Sequence, residues 1–183
     1  MHKISGVYSA ALTPINEDLT INRDLYLRHC QYLMKQGHDG LAIFGTTGEA
    51  NSFSIKEKCE CIDFLITNRV DPKVLIPGTG SSSIKDSIFM NKHASEHKVG
   101  AVLLLPPFYY KNVSDEGVIK YYQKIIEEVA SNDLKYVLYN IPKVSGVEIN
   151  FKIIESLLKF YPENVVGIKD SSGDIDHMLK TIK

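Results

Sequence analysis

The chain has 183 residues, of which 44% are hydrophobic, and this is enough for one domain with a sizeable core. The formal net charge of -1 gives no electrostatic reason to expect nucleic acid or an anionic membrane as a partner. No apolar run approaches the roughly 20 residues that span a bilayer, and the N-terminus lacks the apolar stretch of a signal peptide. We therefore expect a soluble cytoplasmic protein.

Short apolar runs alternate with amphipathic segments along the chain, which predicts strands that are each followed by a helix. The six predicted strands cover residues 6–12, 40–45, 74–76, 101–105, 136–139 and 165–169. The six predicted helices cover residues 22–35, 54–68, 83–97, 114–130 and 150–160, and the last begins near 174. The spacing of Ser54 and Glu57 is that of a capping box, which marks the start of the second helix.

The predicted strands are continuous apolar runs, which is typical of parallel strands buried on both faces. Six strand–helix units predict an α/β domain with right-handed crossovers. The pattern leaves two closures open, a doubly wound sheet and a (β/α)8 barrel. Because neither a linker nor a low-complexity segment interrupts the pattern, residues 1–183 are predicted to form a single domain.

In both architectures the ligand site forms at the carboxyl ends of the strands. The residues that directly follow the predicted strands are mostly polar, aromatic or glycine. They are Thr13 and Pro14, Gly45 to Glu49, Gly78 to Ser81, Phe108 to Lys111, Tyr139 and Asn140, and Lys169 to Ser172. We expect these residues to gather at one edge of the sheet.

Lys169 is the candidate nucleophile of this set. It follows the apolar run 165–168, so its amine is expected to emerge from an apolar wall, where desolvation lowers a lysine pKa. A neutral amine can attack a ketone and form an imine. The hydroxyls of Tyr139 and Thr46 are suitable proton relays for that reaction. The loop around Thr47 offers backbone and hydroxyl donors for a small carboxylate.

Four segments, in this order and spacing, resemble the dihydrodipicolinate synthase / N-acetylneuraminate lyase family. They are Gly45-Thr46-Thr47-Gly48-Glu49, Pro107-Phe108-Tyr109-Tyr110, Tyr139-Asn140-Ile141-Pro142 and Gly167-Ile168-Lys169-Asp170. The resemblance covers essentially the whole chain. It implies a class I, pyruvate-dependent aldolase built on a (β/α)8 barrel, and so favours the barrel over the open sheet. No cofactor or metal is expected, and the partners are a 2-oxo acid such as pyruvate and an aldehyde.

The resemblance also implies a role for each matching residue. Lys169 stands where the family forms its Schiff base, and Tyr139 where a tyrosine shuttles protons at that imine. Thr46 matches the hydroxyl relay. Thr47, with the backbone of Gly45 and Gly48, matches the site of the pyruvate carboxylate.

A further tyrosine of the family is inserted into the site by a neighbouring subunit, and family members are usually tetramers. Counting from Pro107 identifies Tyr109 with that tyrosine, whereas counting back from Ser114 identifies Tyr110. Both remain candidates, and the resemblance implies a homotetramer.

The resemblance does not by itself identify the second substrate. The lysine-pathway synthase carries an arginine five residues after the tyrosine, where this chain has Val144 beside Lys143. The segments 139–147 and 172–174 look more like those of sialic acid lyases and sugar-acid aldolases. The sialic acid lyases, however, usually have serine where Thr46 stands. A 2-keto-3-deoxy sugar acid or sialic-acid-like substrate fits best. The alternatives are a 4-hydroxy-tetrahydrodipicolinate synthase, and a non-catalytic fragment that binds 2-oxo acids or associates with full-length subunits.

Three other patterns invite functional interpretations that we consider weaker. The spacing of His93, Glu96 and His97 is that of the zinc-peptidase pattern H-x-x-E-H, but the flanking residues indicate a solvated helix face. The run from Gly78 to Ser83 could cradle a phosphate, yet it lacks the lysine of a nucleotide-binding loop, so a turn near the site is expected. Three cysteines without a secretion signal predict free thiols without chemistry, at Cys30, Cys59 and Cys61.

The chain is shorter than the complete barrel that the family resemblance implies. A (β/α)8 barrel typically takes about 250 residues, and only six strands are predicted here, so strands seven and eight are missing. We expect a barrel truncated after about six strand–helix units. Such a chain would leave two strand edges and apolar surface uncovered, which predicts poor solubility or inactivity of the chain alone.

Overall fold

The computed structural model describes residues 4–182. Within that range strands and helices alternate along the chain. The strands are β1 (Tyr8–Ala10), β2 (Gly40–Ala42), β3 (Val102–Leu104), β4 (Tyr136–Asn140) and β5 (Val165–Asp170). The α-helices are α1 (Arg23–Lys35), α2 (Ile55–Thr67), α3 (Ile84–Glu96), α4 (Asp115–Val129), α5 (Pro142–Ser145), α6 (Phe151–Phe160) and α7 (Ile175–Thr181). Short 3-10 helices cover Ala50–Ser52 and Pro72–Val74.

Every strand pair is parallel: β1 pairs with β2 in one sheet, and β3, β4 and β5 pair in that order in a second sheet. The predicted third strand is reduced to an extended segment, 75–78, which links the two sheets. It does so through isolated parallel bridges of Leu41 with Leu75 and of Gly78 with Leu103. A doubly wound sheet reverses its strand order at a switch point, whereas here the spatial order follows the chain throughout. The sequential order is that of a (β/α) barrel wall, as the family resemblance implies.

The six predicted helices are confirmed within one or two residues because a polar side chain caps the start of each one. These capping residues are Asn22, Ser54, Ser83, Ser114, Asn150 and Asp174. Ser54 and Glu57 form both bonds of the predicted capping box. The structure adds α5, a single turn that begins with Pro142 in the first helical position and is too short to produce a periodic pattern.

The strands divide the apolar residues between two clusters. The larger cluster lies between the strands and the helices and includes Leu104 and Leu138. The smaller cluster lies on the opposite face of the sheet and includes Leu103 and Tyr139. Because successive side chains of a strand point to opposite faces, adjacent residues such as Leu138 and Tyr139 belong to different clusters. Tyr139 therefore projects from the concave face of the sheet, and not toward the helices.

The last strand departs from the prediction that all strands are buried on both faces. The side chain of Val166 is 46% exposed, and Gly167 has open space above its Cα atom. Among residues 4–182, no strand pairs with the outer edge of β5 or of β1. The apolar wall expected before Lys169 is therefore only partly formed, because an apolar run is buried only where a neighbouring element covers it.

The helices of residues 4–182 are all too short or too polar to cross a membrane.

Candidate active site

Lys169 and Tyr139 are partners in register in the neighbouring strands β5 and β4. The Nζ atom of Lys169 lies 4.2 Å from the centre of the Tyr139 ring. An ammonium group on the face of an aromatic ring is attracted by the electron density of the ring. The strand pairing thus holds the predicted nucleophile and the predicted proton shuttle side by side.

Thr46 completes a polar row with these two residues, although it comes from the turn after β2. Its Oγ1 atom lies 3.2 Å from the phenol oxygen of Tyr139, and either atom can be the donor. The residues predicted as nucleophile, shuttle and relay therefore meet at the carboxyl ends of three strands. This is the edge at which (β/α) barrels place their ligand sites.

The surroundings of the Tyr139 phenol change its acidity. Burial by itself raises the pKa of the phenol, but the hydrogen bond with Thr46 and the positive charge of Lys169 lower it, and the pKa ends below the ordinary value of 10.0. Both effects stabilise the phenolate. Tyr139 is thus a better proton donor than an ordinary tyrosine and exchanges protons with its neighbours more readily.

A strained turn positions Thr46. Phe44 adopts a left-handed backbone with φ 52°, which ends β2 at Ala42, three residues earlier than predicted. Edge-to-face contacts with Tyr26 and Phe53 hold its ring in place. The Phe44 carbonyl points at Gly78 so closely that a Cβ atom on Gly78 would lie 2.0 Å from its oxygen. Only glycine at position 78 allows this approach.

The residues predicted to bind a carboxylate lie in the same turn. Thr47 is exposed, Gly45 is half-buried, and Gly48 is buried, with its carbonyl accepting a 2.7 Å hydrogen bond from the Thr13 hydroxyl. Within residues 4–182, the backbone N–H groups of Thr46 and Thr47 donate to no other group of the chain. They are available to an anion, as the sequence predicts, and their role stays a prediction.

A cavity of about 140 Å³ opens beside this turn. Its lining residues come from the ends of successive strands and from the loops that follow them. They are Phe44, Gly45, Thr46, Glu49, Ala50, Asn51, Ser52, Gly78, Gly80, Leu103, Leu105, Phe108, Tyr139, Val144 and Ser145. Thr46 and Tyr139 thus face the cavity, whereas Thr47 and Lys169 are not part of its wall. Lys169 lies against the ring of Tyr139 instead.

The two candidate inter-subunit tyrosines lie outside the cavity. Tyr109 and Tyr110 are 70% and 77% exposed, and their rings meet edge to face with centres 5.1 Å apart. The preceding residue, Phe108, lines the cavity in their place. The pair is therefore an exposed aromatic surface on the loop after β3.

A buried polar network behind Lys169 was not predicted. The Asp170 carboxylate accepts hydrogen bonds from the Asn140 amide at 3.0 Å, from the Ser172 N–H at 2.8 Å and from the Ser172 hydroxyl. The Nδ1 atom of His177 lies 2.9 Å from the same carboxylate, and the His177 ring stacks on Phe151. The network ties the end of β4 to the end of β5 and to α7. The one feature of the sequence that signals this network is Ser172, two residues after Asp170, because an aspartate side chain commonly bonds to the backbone two residues further on.

These bonds set the acidity of Asp170. Burial raises the pKa of the carboxyl group, but the hydrogen bonds from Ser172, Asn140 and His177 outweigh burial and hold the pKa below its ordinary value. The carboxylate stays charged at neutral pH. It anchors the strand that carries Lys169.

The glycine-rich run after the third strand is a structural turn, as expected. The Gly78 N–H donates to the Ile43 carbonyl at 2.8 Å, and the Thr79 N–H donates to the Leu103 carbonyl at 3.0 Å. These donors already have acceptors in the chain, so they do not form a phosphate cradle.

The prediction of free thiols is confirmed, since Cys30, Cys59 and Cys61 are all buried and unpaired. Burial raises the pKa of Cys30 and of Cys61 to about 12. Both remain protonated and unreactive at neutral pH.

The prediction of a solvated helix face around the H-x-x-E-H pattern is correct for Lys92, Glu96 and Lys98, which are exposed, but not for the two histidines, which are partly buried. Asn91 is fully buried, and the side chain of His93 is only 13% exposed. The histidines lie in the groove between α2 and α3, where the Nε2 atoms of His93 and His97 each lie 2.8 Å from Oδ1 of Asp63. The contact between two helices, which the sequence does not reveal, is the physical reason.

Comparison with known proteins is consistent with this geometry. Residues 3–183 match the model of the dihydrodipicolinate synthetase family. The chain therefore belongs to that family of lyases, in agreement with the resemblance of its motifs.

Individual relatives have different names. The chain is 34% identical to an uncharacterized DapA-like lyase of Chloroflexus aurantiacus over 94% of its own length and 57% of the relative. It is 35% identical to a 4-hydroxy-tetrahydrodipicolinate synthase of Methanosarcina barkeri, over 97% of the chain and 58% of the relative. The chain thus spans less than two thirds of the length of these curated relatives.

Solved structures match the fold closely. The dihydrodipicolinate synthase of Agrobacterium tumefaciens superposes with a TM-score of 0.93 at 30% identity, over 97% of this chain and 62% of that one. The 2-keto 3-deoxygluconate aldolase of Picrophilus torridus superposes with a TM-score of 0.88 at 28% identity, over 100% of this chain and 63% of that one.

Proposed function

We propose that this chain carries the catalytic residues of a class I aldolase or lyase that binds a 2-oxo acid such as pyruvate as a Schiff base on Lys169. One observation carries the proposal. The Nζ atom of Lys169 lies on the ring of Tyr139, whose hydroxyl lies 3.2 Å from that of Thr46. An amine, a phenol and an aliphatic hydroxyl in contact supply the nucleophile and the proton path that imine formation needs.

The chemistry follows from these contacts. Unprotonated Lys169 adds through Nζ to the ketone carbon, and the new carbinol oxygen takes a proton from Tyr139. The Tyr139 phenolate then takes a proton from the nitrogen and donates it to the carbinol hydroxyl, which leaves as water, and the protonated imine forms. The N–H groups of Thr46 and Thr47, which have no acceptor among residues 4–182, would hold the carboxylate of the 2-oxo acid. The lowered pKa of Tyr139 suits a group that donates and then recovers a proton.

For the second substrate we propose a 2-keto-3-deoxy sugar acid or a related polyhydroxylated compound. The observation in favour is Val144, which lines the cavity and offers no charge for a second carboxylate. The alternative is the condensation that forms 4-hydroxy-tetrahydrodipicolinate, the product named for the Methanosarcina barkeri relative. The exposed Lys143 favours this alternative, because its ammonium group can supply the positive charge that a second carboxylate needs. This group lies close to the loop after β5, since a Cβ atom built on Gly173 would lie 3.6 Å from the Nζ atom of Lys143.

We further propose that the domain is a (β/α)8 barrel of which this chain supplies about six strand–helix units, and that the protein is a homo-oligomer, tetrameric by family resemblance. The unpaired outer edges of β1 and β5 among residues 4–182, and the 46% exposure of Val166, support the first proposal. The exposed pair Tyr109 and Tyr110 supports the second, because large exposed aromatic residues are enriched in interfaces.

Borohydride reduction in the presence of pyruvate, followed by mass spectrometry, tests the function. We expect one adduct, located on Lys169, and its complete loss in Lys169→Ala. Lys159→Ala removes another exposed lysine and should label normally. A wild-type chain that gains no adduct at pyruvate concentrations that label the Methanosarcina barkeri relative would reject the proposal. That outcome would favour the alternative that the chain is a non-catalytic fragment.

A further inference from the structure

The groove between α2 and α3 contains three side chains that converge on one point. Asp63 of α2 places its Oδ1 atom 2.8 Å from the Nε2 atom of His93 and 2.8 Å from the Nε2 atom of His97. The two imidazole rings are one helical turn apart, with centres separated by 4.6 Å. The carboxylate oxygen and the two ring nitrogens all lie within 4.8 Å of one another.

The position of this cluster is distinct from the candidate active site. Helices that connect parallel strands run back across the sheet, so their last turns lie at the edge opposite to Lys169. His93 lies in the last turn of α3 and His97 is the C-cap residue. The carboxyl end of a helix carries a partial negative charge, which favours a cation there.

We propose that Asp63, His93 and His97 bind a divalent transition-metal ion such as Zn²⁺ between α2 and α3. Imidazole nitrogen and carboxylate oxygen are the donors that such ions take in proteins. In a tetrahedral zinc site neighbouring ligand atoms are about 3.4 Å apart, so small side-chain rotations convert the present cluster into a coordination shell. The Asp63 side chain is 49% exposed, which leaves room for water to complete the shell.

Protons rearrange when the ion enters. Without the ion, the Nε2 atom of His93 donates to the Asp63 carboxylate, so a neutral His93 ring carries its proton on Nε2. Coordination through Nε2 moves that proton to Nδ1, with no net change in the ring. The Nδ1 atom of His93 is buried and has no hydrogen-bond partner within residues 4–182. Because an outer-shell acceptor contributes about 10–100-fold to metal affinity, this site binds more weakly than a dedicated structural zinc site.

Cys59 lies one turn before Asp63 on α2 but is not part of the ligand set. Its thiol donates to the Met90 sulfur at 3.5 Å, and its sulfur is not among the atoms that lie within 4.8 Å of one another. Two histidines and one carboxylate, with water in the remaining position, therefore define the site.

Titration of the chain with zinc chloride by calorimetry tests the proposal, and Co²⁺ absorption in the visible range reports the ligand geometry. We expect one ion per chain for the wild type. His97→Ala and Asp63→Asn should each weaken binding at least about tenfold, since each removes or neutralises a direct ligand. The control His29→Ala removes a half-buried imidazole of α1 outside the cluster and should bind the ion as the wild type does.

A bound ion should also link α2 to α3 and so stabilise the folded chain. At a hundredfold excess of zinc over the dissociation constant we expect the melting temperature to rise by at least about 5 °C, and the rise to disappear in His97→Ala. His97 is partly exposed, so its variant should keep the circular dichroism of the wild type. Zinc binding that survives in His97→Ala but is lost in Cys59→Ser would overturn the proposal, as would the absence of stoichiometric binding by the wild type.

Discussion

The ammonium group of Lys169 rests on the ring of Tyr139, with 4.2 Å between Nζ and the ring centre. The contact arises from the backbone, since the two residues are partners in register in β5 and β4. Strand pairing fixes positions more firmly than loops do. The relative placement of the two groups should therefore be insensitive to loop changes and sensitive to changes in either strand.

Tyr139→Phe removes the phenol hydroxyl and keeps the ring. We expect labelling of Lys169 by pyruvate and borohydride to slow by about 10²–10⁴-fold, the usual contribution of a positioned acid or base. The control is Tyr136→Phe on the same strand, because the hydroxyl of Tyr136 is buried without a partner among the described residues. The control should label normally and be as stable as the wild type or more so. Equal labelling by Tyr139→Phe and wild type would remove Tyr139 from the proton path.

The pKa of Tyr139 should lie below 10.0 and should rise in Thr46→Val, because the hydrogen bond from Thr46 stabilises the phenolate. Titration of tyrosines labelled with ¹³C at Cζ, followed by NMR, measures this directly. Thr47→Val is the matched control, since Thr47 does not contact the phenol. An unchanged Tyr139 titration in Thr46→Val would contradict the assignment of Thr46 as the relay.

Val144→Arg tests the second substrate. An arginine at this position of the cavity wall can bind a carboxylate with two parallel hydrogen bonds. We expect the variant to lower KM for an aldehyde that carries a carboxylate, and to leave KM for an uncharged sugar aldehyde unchanged. The size-matched control Val144→Met should change neither constant. A wild-type chain that already prefers the anionic aldehyde would favour the synthase alternative and direct attention to Lys143.

Gly78→Ala should destabilise the fold by about 3 kcal/mol or more, because the added methyl group would meet the Phe44 carbonyl at 2.0 Å. Urea unfolding measures the loss. Gly167→Ala provides the comparison within the same domain, since a Cβ atom there has nothing within 4 Å. That variant should unfold within about 1 kcal/mol of the wild type. Similar losses in both variants would mean that the close approach at Gly78 is easily relieved.

Asp170→Asn tests the polar network at the end of β5. The folded pKa of Asp170 is lower than its unfolded pKa, so ionisation stabilises the fold above the ordinary value of 3.8, and this stabilisation is lost as the pH falls through the folded pKa. We expect the variant to be less stable than the wild type by about 1.5–3 kcal/mol at pH 7. The difference should shrink at pH 3. A difference that is equal at both pH values would indicate that the charge of Asp170 is unimportant.

The helices were predictable because their caps are local. Asn22 and Ser54 each bond to a backbone N–H three residues ahead, so a window of a few residues contains the whole signal. The parallel strands were predictable as apolar runs, but their ends were not. Phe44 adopts a left-handed backbone conformation, which shortens β2. This turn depends on contacts of the Phe44 ring with Tyr26 and Phe53, which lie elsewhere in the sequence.

The contact of Tyr139 with Thr46 and Lys169 could be anticipated, because all three residues follow or end strands and parallel strands bring such positions together. The networks around Asp170 and Asp63 could not. Each depends on which face of a helix turns toward its neighbour, as when α3 turns His93 and His97 toward α2. Sequence periodicity predicts which face of a helix is buried, but it does not identify the residues of the neighbouring element that this face contacts.

The sequential order of the strands has a consequence for how the chain folds. Each parallel pair joins segments only about 30 residues apart, so every pairing closes one modest loop. Each strand can therefore dock as soon as the helix before it has been synthesised, on an edge that the preceding strand has already formed. Such a wall can grow from its first strand during translation. At any moment the unpaired edges of such a wall are those of β1 and of the newest strand, and an unpaired strand edge is prone to aggregate.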